Sequence, residues 1–243
     1  MKIIINADDF GASQVINSEI ERIIKLGAIS SATILANGRA FDEVKQIVDR
    51  YPDVSFGAHL NIVEFDSLTK SEIFKTYNLV DDDYKFVYQA IFKVKHFPND
   101  LKLAIKEEFR QQIEKIISCG IPISHIDGHQ HCHAIYPLFD IVKELADEFG
   151  ISKIRRKMPH LHPIRQMKYK YWIYKSGKKF CMTDYFFPYS SFVSHQSYKQ
   201  YAGKKIELMC HPGLSMFDEE TRMLEAFLLK EKCDYKLISY KNI

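Results

Sequence analysis

The sequence predicts an α/β fold, a (β/α) barrel of about seven parallel strands, on three observations. Short apolar runs alternate with amphipathic segments at helical spacing from the first residues onward. The connections between them are short, which suits parallel strands wrapped by helices. Polar, chemistry-bearing residues recur where the apolar runs end, the edge at which such folds place their sites. An open doubly wound sheet is the competing architecture. The 243 residues, 46% hydrophobic and 27% charged, suit a single domain over 1–243 that needs no disulfide or metal to hold a core.

The elements follow in order. Lys2–Asn6 (KIIIN) reads as a buried strand. Gly11 and Ser13 punctuate the chain, and Val15, Ile16, Ile20, Ile23 and Ile24 then recur at helical spacing to about Gly27. Ser31–Ala36 is a second strand, Ala40–Arg50 a helix and Val54–Leu60 a third strand. Residues 62–100 break the pattern with Asp81, Asp82, Asp83, aromatics and lysines. They read as an insertion or lid with a short helix near Phe86–Val94, because long irregular loops are usually functional or mobile. Alternation resumes with a helix capped by Asp100, running to about Ser118 and ended by Gly120. Strands over Pro122–Ile126, Lys153–Arg156, Phe180–Thr183 and Lys205–Cys210 complete the set, with helices over Tyr136–Phe149, Met167–Lys175 and Glu219–Lys230.

Composition excludes several classes. No apolar run approaches the roughly 18–20 residues of a membrane span. The first residues turn polar after four apolar positions, too soon for a signal-peptide core, so a cytoplasmic protein with no membrane partner is expected. The five cysteines are odd in number and form no CxxC pair, as free thiols in a reducing compartment would be. A net charge of +3 argues against nucleic acid as a partner overall. Lys153–Lys179, with ten Lys or Arg, no acid and Tyr169, Tyr171, Trp172 and Tyr174 interleaved, is the one stretch that could bind it, though a solvated face is commoner.

Four strand ends carry the chemistry. KIIIN runs into Asp8-Asp9, SFGAH ends in His59, ISHID runs into His129, His131 and His133, and IELMC runs into His211. Parallel strands would bring these to one rim. Each has a plainer explanation alone: helix capping for the Asp pair, a core histidine for His59, a His-rich polar loop, and a Pro-Gly turn around His211. Together they suit a metal site, with one carboxylate as ligand and its neighbour as base, since adjacent strand residues point apart. Three imidazoles at alternate positions share a face if extended, and which of His129, His131 and His133 ligates stays open. His125 suits a structural hydrogen bond, and Arg155 ends a strand from which it can reach the rim.

Asn6-Ala7-Asp8-Asp9-Phe10-Gly11, Gly57-Ala58-His59-Leu60-Asn61, the run His125–His133 and Glu207–Gly213 together resemble the YdjC-type carbohydrate deacetylases, which include chitooligosaccharide deacetylases. The four motifs stand in the family's order from residue 6 to residue 213. The resemblance implies a divergent (β/α) barrel like that of polysaccharide deacetylases, and hydrolysis of the N-acetyl group of an amino sugar or short chitooligosaccharide. It implies Asp9, His59 and His129 as ligands of one divalent metal, Asp8 as general base, Arg155 as its positioning partner and His211 as general acid. It further implies Mg²⁺ and a homodimer, although two imidazoles and one carboxylate suit Zn²⁺, Co²⁺ or Mn²⁺ better. The alternatives are a metal hydrolase of phosphoesters or cyclic amides, and a sugar-binding protein without catalysis.

Overall fold

Strand β1 spans Lys2–Phe10, and every residue after Lys2 is buried. The computed structural model describes residues 1–156, 180–194 and 198–243. β1 pairs in parallel with β2 (Ser31–Ile34), β2 with β3 (Ser55–Leu60), and β3 with β4 (Ile126–Gly128). On its other side β1 pairs with β6 (Lys205–Cys210), which pairs with β5 (Tyr185–Pro188). A two-residue strand, β7 (Lys236–Leu237), also pairs with β1.

The expected parallel barrel is present as a half-barrel of full ladders. Isolated parallel bridges, Ile126 to Ile154 and Lys153 to Cys181, continue it beyond β4 toward the segment entering β5. The strands expected at Lys153–Arg156 and Phe180–Thr183 are therefore single bridges. The real ladder falls at Tyr185–Pro188, which the sequence conceals because only Phe186 is fully buried among its four residues. β4 starts at Ile126, later than the predicted Pro122.

Helix α1 (Gln14–Lys25) is capped by Ser13, whose hydroxyl accepts from the Ile16 amide, and Val15 is 65% exposed, outside its apolar face. α2 covers Val44–Arg50 behind a 3-10 turn at Phe41–Glu43. Residues 62–100 contain a helix absent from the prediction, α3 (Glu72–Thr76), and only a 3-10 turn at Ala90–Lys93 where a helix was expected. α4 (Asn99–Ser118) has Pro98 at its cap position; Asp100 instead accepts from the Tyr77 hydroxyl and the Leu101 amide. α5 (Tyr136–Glu148) matches the prediction. The predicted last helix divides into Asp218–Glu225 and Leu228–Lys232, because Phe227 sits at φ 50°. The predicted Met167–Lys175 helix, and most of the basic aromatic stretch, lie outside the described residues.

Period-two alternation along β1 separates two interiors. Ile3, Ile5 and Ala7 join the main apolar core with Ile16, Ile20 and Ile23 of α1. Ile4 packs instead with Ile238 and Tyr240 near the chain's end. Asn6 and Asp8 share the Ile4 face, so the inside of the half-barrel turns polar toward the carboxyl ends of the strands. Gly57 of β3 admits the His125 ring, which a Cβ there would meet at 2.5 Å, and that ring stacks on Tyr240 with centroids 3.6 Å apart.

Candidate active site

β1 presents two adjacent carboxylates in different directions, and both lie within the strand, not past its end. Neither caps α1. Asp8 continues the inward face, whereas Asp9 takes φ 66° where the β1–β2 register shifts between Ala7 and Phe10. A left-handed, non-glycine residue costs on the order of 1 kcal/mol, and such strain concentrates at functional sites. The twist aims Asp9 at two imidazoles: its Oδ1 lies 2.7 Å from His129 Nδ1 and 3.2 Å from His59 Nε2.

The ligand atoms of Asp9, His59 and His129 all lie within 4.8 Å of one another, and all three residues are buried. His59 Nδ1 meets Asp127 Oδ1 at 2.6 Å, leaving Nε2 facing the cluster. That carboxylate–imidazole arrangement fixes tautomer and ring angle as in known metal centres. His129 Nε2 lies 2.8 Å from Glu64 Oε1, so a second carboxylate flanks the second imidazole. One carboxylate and two oriented imidazoles fit a divalent transition metal with positions open for water and substrate. Asp8, His59 and Asp127 also converge, but there the Arg155 guanidinium already occupies both carboxylates.

His131 does not join the cluster. The segment after β4 is a 3-10 turn with Gln130 at φ 47° and His131 at φ 61°, not the extended strand that would align three imidazoles. His131 packs edge-on against Phe186 at 5.5 Å, and burial with nearby Arg155 pulls its pKa down to about 3. His133 is fully buried behind Gly128.

Arg155 is 1% exposed and serves three carboxylates. Its Nη1 and Nη2 donate to the two oxygens of Asp8 at 2.7 Å each, Nη1 also reaches Asp127 at 2.8 Å, and Nε donates to Glu207 at 2.7 Å. Burial alone would raise the Asp8 pKa, but Arg155 outweighs it and holds the carboxyl well below the usual range. Burial pushes Glu207 up to about 7 despite Arg155, and the Tyr240 hydroxyl donates to its other oxygen. Burial also opposes charge on His59 and His129, yet Asp127 lifts the first to about 10, and Asp9 the second to about 9.

His211 follows β6 with its ring stacked on Phe217, centroids 4.4 Å apart. Its amide donates to Glu220 Oε2 at 3.0 Å, and its Nδ1 lies 3.8 Å from the same oxygen. Burial lowers the imidazole's pKa, but Glu220, Asp8 and Asp9 reverse the sign, so the net shift is upward. Asp9, His129 and His211 line one cavity of about 550 Å³, walled by Phe65, Tyr88 and Phe217.

A family model described as YdjC-like protein matches residues 2–237. This chain belongs to the YdjC-like family. Among curated YdjC-like relatives, a carbohydrate deacetylase of Clostridium beijerinckii is 31% identical over 217 residues, covering 88% of this chain and 82% of that protein. One from Halalkalibacterium halodurans is 26% identical over 98% of this chain and 95% of its own length. Among solved structures, one from Enterococcus faecalis named for cellobiose-phosphate cleavage shares the fold, with a TM-score of 0.75 at 20% identity over 99% of this chain and 98% of that one. A lactam utilization protein from Thermus thermophilus shares it more distantly, with a TM-score of 0.53 at 13% identity over 98% of this chain and all of that one.

All six residues singled out from sequence, Asp8, Asp9, His59, His129, Arg155 and His211, meet at the carboxyl end of this YdjC-like half-barrel. Sequence reasoning gave no role to the carboxylates behind them: Asp127, Glu207, Glu64 and Glu220. Asp127 and Glu207 stood inside the quoted motifs, a signal that could have found them. Glu64 and Glu220 stood outside every motif.

Proposed function

We propose that this protein is a metal-dependent carbohydrate deacetylase that hydrolyses the N-acetyl group of an amino sugar or short chitooligosaccharide to acetate and a free amine. The observation that carries this reading is the pairing of an ionised carboxylate, Asp8, with an oriented Asp9–His59–His129 cluster beside a separate imidazole, His211. Family membership and relatives named carbohydrate deacetylase support it.

Asp9, His59 and His129 would hold the cation, which would supply Lewis-acid polarisation of the acetyl carbonyl and acidify nearby water. Asp8, kept ionised and oriented by Arg155, takes a proton as the water oxygen bonds to the carbonyl carbon. His211, as the imidazolium its acidic neighbours favour, gives a proton to the amide nitrogen as the C–N bond breaks, because an amine anion cannot leave. Mg²⁺ follows from the family resemblance, while the donor set favours Zn²⁺, Co²⁺ or Mn²⁺. A cytoplasmic homodimer belongs to the same reading, with light scattering and cell fractionation as its checks. Among the described residues no helix is long and apolar enough to cross a membrane.

The test is acetate release from diacetylchitobiose by chelated protein resupplied with each metal, beside Asp8→Asn. Metal-dependent release abolished by Asp8→Asn is expected. No release together with no stoichiometric metal would overturn the reading.

A further inference from the structure

The insertion at 62–100 is fastened at both ends of its path. At its base the buried Glu108 of α4 accepts from the Ser67 hydroxyl at 2.8 Å, the Leu68 amide at 3.1 Å and the Thr69 amide and hydroxyl at 3.0 and 2.8 Å. Gln112, one turn on, donates to Glu108 at 2.9 Å and to the Asn61 carbonyl at 2.6 Å. At its tip Gln130 donates to the Tyr88 hydroxyl at 3.0 Å and accepts from Gln89 at 2.8 Å. Gln130 adjoins His129, so the tip is fixed to the same turn that orients the candidate metal ligand.

Tyr88 is 59% exposed, yet its hydroxyl is tethered, and the residue lines the cavity that holds Asp9, His129 and His211. Leu214, Met216 and Phe217 line the same cavity, and Met216 is 81% exposed. Large apolar side chains exposed along a largely apolar cavity that also holds Asp9, His129 and His211 mark a ligand surface. An aromatic ring held by its polar end presents a flat face at little entropic cost. A pyranose offers the matching chemistry: a flat face of C–H groups for the ring, and hydroxyls at its edge for the neighbouring amides.

We infer that Tyr88 is a stacking platform of this cavity, a subsite on which one pyranose face of the substrate rests. The inference rests on the deacetylase reading of the same site. Tyr88 acts in binding and touches no reacting atom. It is a specificity-determining residue, delivered by the insertion as a rigid wall.

Metal-loaded Asp8→Asn protein, titrated calorimetrically with diacetylchitobiose, provides the binding measurement. Adding Tyr88→Ala is expected to weaken the dissociation constant about tenfold, and Tyr88→Phe to restore most of it. In turnover, Tyr88→Ala should raise KM about tenfold while kcat falls less than threefold, the pattern of lost uniform binding. Unaltered affinity in Tyr88→Ala would overturn the subsite. So would equal losses in Tyr88→Ala and Tyr88→Phe, since the tether and not the ring face would then matter. Acetate release with unmoved Tyr88 variants fails the subsite alone, whereas no metal-dependent release from any N-acetylated sugar fails the deacetylase reading and the subsite with it.

Discussion

Arg155 grips Asp8 with both terminal nitrogens, each 2.7 Å from a different carboxylate oxygen, at a point where neither residue is open to solvent. The fork leaves Asp8 ionised and in one orientation, and the same guanidinium neutralises part of the charge on Asp127 and Glu207. Arg155→Lys keeps the charge but cannot serve three carboxylates from one planar fork. It is expected to lower kcat by about 10²-fold or more and to cost about 1–3 kcal/mol of stability, because buried carboxylate oxygens lose their donors while the charge remains. Acetate release and denaturant unfolding on the same preparation check both.

Metal loading should be strongly pH-dependent. Without metal, His59 at about 10 and His129 at about 9 are protonated at neutral pH, and ligation requires them neutral. Binding therefore expels protons, and affinity should rise with pH up to about 10. Calorimetry in two buffers of different ionisation enthalpy counts the protons released; a count of zero would contradict these ion pairs.

The same pairs make a prediction for the chelated protein. Imidazoles whose folded pKa exceeds the unfolded value of about 6.5 stabilise the fold fully below that value and cease to do so as pH rises through the folded one. Chelated protein should lose melting temperature between about pH 7 and 10, and metal-loaded protein should lose less. Parallel thermal melts with and without chelator measure the difference.

Glu220 is 3% exposed and lies against His211, whose pKa it raises against the effect of burial, together with Asp8 and Asp9. A raised imidazole keeps its proton to higher pH, which sets the alkaline limb of activity. Glu220→Gln removes the charge at nearly constant shape, so that limb should move to lower pH while the acid limb stays. A pH–rate profile of kcat reads this directly.

Gly57→Ala should destabilise the protein. A Cβ would stand 2.5 Å from the His125 ring, which its stack on Tyr240 holds in place. Overpacking of this kind costs about 1–3 kcal/mol, measurable as a lower denaturant midpoint with the slope unchanged.

The sequence alone determined the parallel α/β architecture and the rim to which its polar residues converge. KIIIN, SATI, SFGAHL and KIELMC are apolar enough to be legible as buried strands, and in a parallel sheet their carboxyl ends must share one side. Asp8, Asp9, His59, the run His129–His133 and His211 were therefore readable as one site before any distance was known. The sequence was less informative where burial is partial: the run Tyr185-Phe186-Phe187 stops at Pro188 after three residues, and the last helix breaks at a left-handed Phe227 that no glycine or proline announces.

Only the tertiary structure decided which imidazole of the three joins the cluster, because left-handed Gln130 and His131 turn the chain away from the extended form that alternation assumes. It also decided that Asp9 meets both His59 and His129, through one positive φ at a register shift, while Arg155 holds both oxygens of Asp8. The carboxylates behind the site, from Asp127 68 residues beyond His59 to Glu207 52 residues beyond Arg155, meet their partners across the half-barrel. Pairings at such separations follow from the closing of strands around a shared interior, and a local pattern carries no record of them.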